Sequence, residues 1–517
     1  MEPVVALSAD WVGEALGIEL MTPSSQPLAR RLYRALRAWI QAGRLASGCR
    51  LPSSRRLARD LGVGRNTLLE AIEQLVAEGF LETRPGAGTF VADLPFGRGE
   101  AVSEALSEKA PSEAPSEAPE AALSARGERL LGFCASSGDH HGAFAPGVPA
   151  LDRFPRELWQ RLLRRHQRGA PEAWLDYRTQ GGVTALREAL CDYLRLSRSV
   201  RCRPAQVLVV QGAQQGFELI ARMLSDPGDT VWLEEPGYGG AQACFDAAGL
   251  EMVPVPVDGE GLDLKRVPPG HAAPRLIYVT PSHQYPSGVT MGLSRRLALL
   301  EAAEAHGAWI VEDDYDSEFR YGQRPIAALQ GLTEAARVIY VGTLSKVLYP
   351  GLRLGYLVLP EALVEPFRRA NARLHREGQY AVQAALAEFI AAGHFSRHVR
   401  RMRDCYRGRQ ALLRRALAPA VARGLALSEG QAGMHLVAWL DDLDIEQTLV
   451  RRAADQGITL SPLSRYYLTA PGRPGLVLGY AGARDDEIVR AGRWLARAWL
   501  TLAEPRDRPP PDSPAAE

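Results

Sequence analysis

The stretch G-T-L-S-K-V-L-Y-P-G-L-R-L-G-Y, from Gly342 to Tyr356, decides how this chain is read. It sets Lys346 just after Thr343 and Ser345 and seven positions before Arg353, among glycines and apolar residues. A lysine held in such a cleft loses its proton readily, because burial disfavours the ammonium form. The neutral amine can then form a Schiff base with a carbonyl cofactor. Arg353 offers a planar fork suited to a phosphate, and Thr343 and Ser345 add hydroxyl donors. A Schiff-base lysine beside a phosphate clamp is what pyridoxal 5'-phosphate requires. A lone Ser-Lys pair is most often a surface loop, so the reading rests on partner motifs elsewhere.

Those partners occur on both sides. Q-G-A-Q-Q-G at Gln211–Gly216 follows the apolar run Val207–Val210 and precedes Phe217–Ala221. That pattern is a strand, a turn and a helix whose free amides bind phosphate. I-V-E-D-D-Y-D-S-E-F at Ile310–Phe319 closes an apolar strand with carboxylates, and one of them can pair with a protonated pyridine nitrogen. Apolar runs at Val207–Val210, Val231–Leu233, Leu276–Val279, Trp309–Val311 and Val338–Val341 alternate with helical stretches. Residues 130–504 are therefore expected to form α/β units around a mainly parallel sheet.

Residues 26–93 have a different grammar. Leu28, Leu32, Leu36 and Ile40 recur every four residues, as one face of a helix would. Ser53 and Ser54 cap a second helix carrying Leu57, Ala58 and Leu61. Gly62 and Gly64 make a turn, and Asn66 or Thr67 begins a third helix that Gly79 ends. A hairpin follows, with Pro85–Gly88 as its turn. This order is a winged helix-turn-helix, whose third helix enters the DNA major groove by its N-terminal end. Arg65, Asn66 and Thr67 stand there, suited to base edges or phosphates. Ser53, Ser54 and Arg55 would meet the backbone, while Arg84, Gly86 and Thr89 place the wing near an adjacent groove. Eleven arginines against six carboxylates in this segment give it a local positive excess.

Residues 1–25 show no clear pattern. Residues 94–129, with their repeated S-E-A-P, are too poor in apolar side chains to fold and are expected to be a flexible acidic linker. The proline-rich end, 505–517, is expected to be disordered. Hydrophobic content of 46% and charged content of 23% suit a soluble globular protein, and a net charge of +1 alone excludes little. The six cysteines lack C-x-x-C spacing, which fits reduced thiols and gives no metal site. No signal pattern opens the chain and no stretch is apolar for long enough to span a bilayer, so a cytoplasmic protein is expected.

The segment L-P-S-S-R-R-L-A-R-D-L-G-V-G-R-N-T-L at Leu51–Leu68, with G-F-L-E-T-R-P-G-A-G-T-F-V at Gly79–Val91, closely resembles the winged-helix domain of GntR-family bacterial regulators. Residues 130–504 resemble fold-type I aminotransferases, with the motifs in that family's order. The two together resemble the MocR subfamily, which includes GabR-like and PdxR-like regulators. The fold class implied is α/β, an N-terminal winged helix-turn-helix domain joined by a flexible linker to an aminotransferase-like domain. The resemblance implies that Ala213 and Gln214 hold the cofactor phosphate, Tyr238 covers the ring, and Asp313 pairs with the pyridine nitrogen, with Asp314 as the competing assignment. It implies that Tyr315 bonds the phenolic oxygen. It also implies that Tyr177 reaches a neighbouring subunit's phosphate, which would make the protein a homodimer.

Many GntR relatives carry an arginine where this chain has Leu69, and two departures bear on activity. Where aminotransferases have an asparagine before Pro-[Ser/Thr]-Gly, this chain has Tyr285; His283 nearby is either a polar contact or a structural loop residue. Where aminotransferases carry an arginine for the substrate carboxylate, this chain has Val477, and a valine cannot form the bidentate pair. Unless Arg465 or Arg473 substitutes, an amino acid is held poorly and efficient transamination is not expected. The sequence thus points to a regulator that binds an operator in double-stranded DNA and senses a small-molecule effector, an amine, an amino acid or the cofactor itself. The alternative is an active aminotransferase with an accessory DNA-binding module.

Overall fold

A computed structural model describes residues 26–93, 123–133, 142–322, 326–333, 337–469 and 472–503. Residues 1–25, most of the expected linker and the chain's last residues lie outside these. The chain divides into two compact units, 1–121 and 122–517.

The first unit builds α1 (Leu28–Gln41), α2 (Ser54–Asp60) and α3 (Arg65–Ala77), then the hairpin β1 (Leu81–Arg84) and β2 (Gly88–Val91). Leu32, Leu36, Leu57, Leu68, Leu75, Leu81 and Val91 close one core. Leu28 departs from its expected place on the apolar face and is 37% exposed; it opens α1, where the helix has not yet reached the core. Ser53 caps α2, its hydroxyl accepting the Arg56 N–H at 3.3 Å. The third helix starts at Arg65, a residue or two earlier than a side-chain cap at Asn66 or Thr67 would give. The extended backbone of Gly64 serves as its cap without any side-chain bond. In the wing, Leu81 pairs with Val91 and Arg84 with Gly88, and Gly86 and Gly88 both take positive φ.

The second unit is organised on an eight-stranded mixed sheet in the order β3-β10-β9-β8-β7-β4-β5-β6. Its members are β3 (Val207–Val210), β4 (Thr230–Glu235), β5 (Glu251–Asp258), β6 (Gly261–Leu262), β7 (Pro274–Val279), β8 (Trp309–Asp314), β9 (Val338–Thr343) and β10 (Gly355–Val358). Strands β9, β8, β7, β4 and β5 run parallel, whereas β10 is antiparallel to both neighbours. Each central strand is buried on both faces, which is why it reads as an unbroken apolar run. A smaller antiparallel sheet, β11 (Ala426–Leu427), β12 (His435–Trp439), β14 (Gly475–Gly479) and β13 (Ser461–Pro462), lies in the same unit.

Two polar devices fix this unit. Arg198, at the end of the helix Thr184–Arg198, donates to Asp314 at 2.7 Å, with both side chains buried; Tyr340 and Ser282 complete the set. Glu312 accepts the backbone N–H groups of Leu329 and Gln330. A helix at Ala125–Gly132 overlaps the end of the expected linker, and its Arg129 donates to Asp246 at 3.0 Å. Ser124 caps that helix, beyond Pro119, the last proline of the expected linker. Among the described residues no helix is long and apolar enough to cross a membrane.

Leu68 has no exposed surface. Truncating such a leucine to alanine costs about 2–5 kcal/mol. Leu68→Ala should therefore speed hydrogen exchange across 28–91 in the full chain while leaving the 207–210 and 338–343 strands unchanged. Unaltered exchange in the first unit would contradict the core assignment.

Candidate functional site

The ends of the central strands surround a cavity of about 690 Å³, the place where open α/β sheets hold ligands. Nine of the ten expected cofactor residues line it: Ala213, Gln214, Tyr238, Asp313, Tyr315, Thr343, Ser345, Lys346 and Arg353. Each comes from the end of an element. Asp313 and Thr343 close β8 and β9, Ala213 opens the helix after β3, and Arg353 precedes β10.

Lys346 reaches across the cavity wall, its Nζ donating to the Gly147 carbonyl at 3.0 Å. Gly147 has φ +70, which favours glycine, and a Cβ there would lie 2.6 Å from Nζ and push the lysine tip aside. Burial pushes the Lys346 pKa down, opposed by Asp316 and Asp313. Asp313 is pushed up to about 7, chiefly by burial. Tyr278 donates to its Oδ2 at 2.6 Å, while Oδ1 is buried and has no partner. Asp314 points elsewhere, bound to Arg198 and Tyr340.

An anion cradle forms at the other end. Gly212, φ +92, caps the helix Ala213–Leu224 without a side-chain bond, leaving its first amides free. A Cβ at Gly212 would stand 3.6 Å from the Arg353 Cζ. The exposed Arg353 guanidinium donates no hydrogen bond and joins no ion pair among the described residues. Gly355 passes so close that a Cβ there would lie 3.1 Å from the Ala213 nitrogen. Thr343 Oγ1 accepts the Ser345 N–H at 3.2 Å and keeps its own hydrogen to donate. An unpartnered guanidinium, a helix N-terminus and two hydroxyls fit a phosphate. The orphaned Asp313 oxygen fits a ring N–H, and the lysine a carbonyl carbon. The residues present therefore match the polar groups of pyridoxal 5'-phosphate.

Aromatic groups close the remaining wall. The Tyr238 and Tyr285 rings meet edge to face at 5.8 Å, and the Tyr285 hydroxyl lies 3.2 Å from that of Tyr466. His435 is pushed down to about 3 by burial and donates from Nε2 to the Pro286 carbonyl at 2.8 Å. Val477 is fully buried against Val437, Leu463 and Tyr466, behind the cavity. Arg465 and Arg473 are exposed and do not line it, and Arg473 stacks on Trp439 at 4.8 Å. Among the described lining residues the cations are Lys346 and Arg353.

Tyr177 is not brought to this cavity. It is 73% exposed, under the Arg376 guanidinium at 4.6 Å, beside a separate surface cleft with Trp174 and Tyr380. Sequence reading missed Gly147, Asp316, Tyr349 and His435, which line the cavity. Asp316 carried a signal as the fourth carboxylate of the strand-ending run, and Tyr349 lies inside the lysine motif.

In the first unit Arg65 and Asn66 stand exposed at the opening of α3, with Thr67 half-buried. Ser53 and Arg55 are exposed and Ser54 half-buried at the start of α2. In the wing, Thr89 is half-buried and Gly86 exposed. Arg84 is held within its own hairpin, paired with Glu82 and stacked over Phe90 at 4.6 Å, so a phosphate there would compete with Glu82. Arg50, not anticipated, is exposed and packs against Gly88 of the wing.

The pattern of bacterial regulatory proteins of the gntR family matches residues 28–91, and that of aminotransferase class I and II matches residues 149–488. The chain is 44% identical to the probable rhizopine catabolism regulatory protein MocR of Rhizobium meliloti, over 93% of this chain and 96% of that one. It is 30% identical to the pyridoxine biosynthesis transcriptional regulator PdxR of Corynebacterium glutamicum, over 90% and 94%. Among solved structures it is similar to LysN, the α-aminoadipate aminotransferase of Thermus thermophilus complexed with N-(5'-phosphopyridoxyl)-L-leucine. That match has 29% identity and a TM-score of 0.64, and covers 74% of this chain and 96% of that one.

The Asp313 assignment has a consequence for the cofactor-free protein. Its folded pKa of about 7 lies above the ordinary 3.8, so between these values the native state holds a proton that the unfolded state has released. Stability contributed by this group is present at low pH and falls as pH rises from about 4 through 7. Asp313→Asn should flatten that fall and raise stability at pH 8, read by urea unfolding at fixed ionic strength. Glu234, also pushed up to about 7 by burial, gives a parallel slope in both proteins, so the difference between them is the readout. Identical pH profiles would contradict the assignment.

Proposed function

We propose, for a chain that belongs to the GntR-type regulators carrying an aminotransferase class I/II domain, the group of MocR and PdxR, that it is a pyridoxal-phosphate-dependent transcriptional regulator of the cytoplasm. The observation that carries this is the presence in one chain of an exposed recognition-helix end and of a cavity built for the cofactor. Arg65 and Asn66 read base edges in the major groove, while Ser53, Ser54 and Arg55 position the backbone. Lys346 offers its amine to the cofactor's carbonyl carbon, Asp313 holds the ring nitrogen's proton, and Tyr238 covers the ring. Arg353, Thr343, Ser345 and the amides of Ala213 and Gln214 hold the phosphate. The cofactor, when bound, supplies an electrophilic carbon for an amine and an electron-withdrawing ring.

A small amine, an amino acid or the cofactor itself is the effector. The alternative, a working aminotransferase with an accessory DNA module, draws on Lys346, Asp313 and Arg353, which both readings need. Val477 weighs against it, because no guanidinium among the described lining residues is left for a substrate carboxylate once Arg353 holds the phosphate. Exposed Tyr177 suits a role in a second subunit's pocket and supports a homodimer.

Two substitutions test the division of labour. Lys346→Ala should abolish the absorbance shift that pyridoxal phosphate shows on binding the protein; an unchanged spectrum would refute the role of Lys346. Arg65→Ala should weaken operator binding by about 1–3 kcal/mol, the worth of a bidentate base contact, and leave that spectrum intact. Operator affinity equal to wild type, measured at fixed salt, would remove Arg65 from the interface.

A further inference from the structure

His283 has no assigned part in the site, yet the structure invests heavily in it. It is 3% exposed, and its Nδ1 lies 3.0 and 3.1 Å from the two carboxylate oxygens of Asp316, itself 1% exposed, and 2.9 Å from the Tyr315 hydroxyl. Two glycines at positive φ make room for the ring. A Cβ at Gly433 (φ +82) would overlap its Cε1, and one at Gly288 (φ +80) would stand 3.3 Å from Nε2. The His435 ring lies 5.2 Å away and is neutral, and Asp316 also acts electrostatically on Lys346.

An imidazole Nδ1 has one in-plane position, filled by a hydrogen or by a lone pair. A nitrogen lone pair aimed at carboxylate oxygens meets their lone pairs and is repelled, whereas an N–H aimed there makes a hydrogen bond. The hydrogen therefore sits on Nδ1 and is directed to Asp316. Tyr315, 2.9 Å from the same nitrogen, then finds no lone pair there to donate to. Its own hydrogen turns away from His283, and Tyr315 lines the cavity. We propose that His283, held by Asp316, is a positioning residue that fixes the Tyr315 hydroxyl as a hydrogen-bond donor into the cofactor pocket.

The inference rests on the cofactor reading above. A donor aimed at the place the cofactor's phenolic oxygen would take would stabilise negative charge on that oxygen when the cofactor is bound. It lowers the pH midpoint of the visible absorbance of the loaded protein. In His283→Phe, Asp316 loses its N–H donor, and the hydroxyl of Tyr315, on which Asp316 also acts electrostatically, turns to it. The midpoint should rise by roughly one to two pH units, the size of a lost hydrogen bond to a charged group. His283→Asn, whose amide N–H can still serve Asp316, should return most of the way to the unsubstituted value. A midpoint unmoved in His283→Phe, or an equal shift in both variants, would overturn the proposal. Nitrogen-15 NMR of the unsubstituted, cofactor-free chain decides the proton's place independently of either variant's folding. A protonated His283 Nδ1 is expected, and an unprotonated one would overturn the proposal. Absence of any visible band with added pyridoxal phosphate would defeat the cofactor reading, while the NMR result would still stand.

Discussion

Lys346 and Asp313 share one cavity, and the larger unit is arranged around the cost of keeping both there. A charge taken out of water must find a partner or lose its charge. Each group does part of both. Lys346 is biased toward the neutral amine and bonded to the Gly147 carbonyl; Asp313 is biased toward the acid and bonded by Tyr278 on one oxygen only. What is left unmet, the second Asp313 oxygen and the Arg353 guanidinium, marks where a ligand's ring nitrogen and phosphate would complete the balance. The buried pair Arg198–Asp314 lies one residue along the same strand, with Asp314 Oδ2 bonded by Arg198 and Tyr340. Adjacent carboxylates thus play opposite parts because strand alternation sends them to opposite faces.

The two units close their cores separately, so each carries its chemistry on its own scaffold. The first is too small to do more than present one helix end and one wing. The second has the aminotransferase class I and II scaffold, with Val477 buried in an apolar cluster. Val477 packs into the cluster beneath Tyr285 and Tyr466, so one departure from the aminotransferase pattern supports the other.

Much of this was legible in the chain because the relevant signals are local. Apolar runs of three or four residues marked β3, β4, β7, β8 and β9, and motifs at their ends marked Lys346, Arg353, Asp313 and Ala213. What was not legible depends on contacts distant in sequence or on backbone alone. Gly147 is 199 residues from Lys346, and nothing near it announces the lysine that passes over it. His435 comes to the cavity from the smaller sheet. The antiparallel strand β10 hides in the tail of the lysine motif because burial on both faces looks alike in either direction. The start of α3 was displaced because Gly64 caps by its backbone conformation, which leaves no side-chain signature. Tyr177 stands exposed and away from the cavity.

The central claim is that cofactor chemistry in the larger unit controls DNA binding by the smaller one. Operator affinity and footprint of the full chain, measured at one salt concentration with and without pyridoxal phosphate, test this most directly. The account predicts that the cofactor changes the affinity, the footprint or both, and that Lys346→Ala removes the difference. Identical affinity and footprint for the loaded and cofactor-free protein would contradict it.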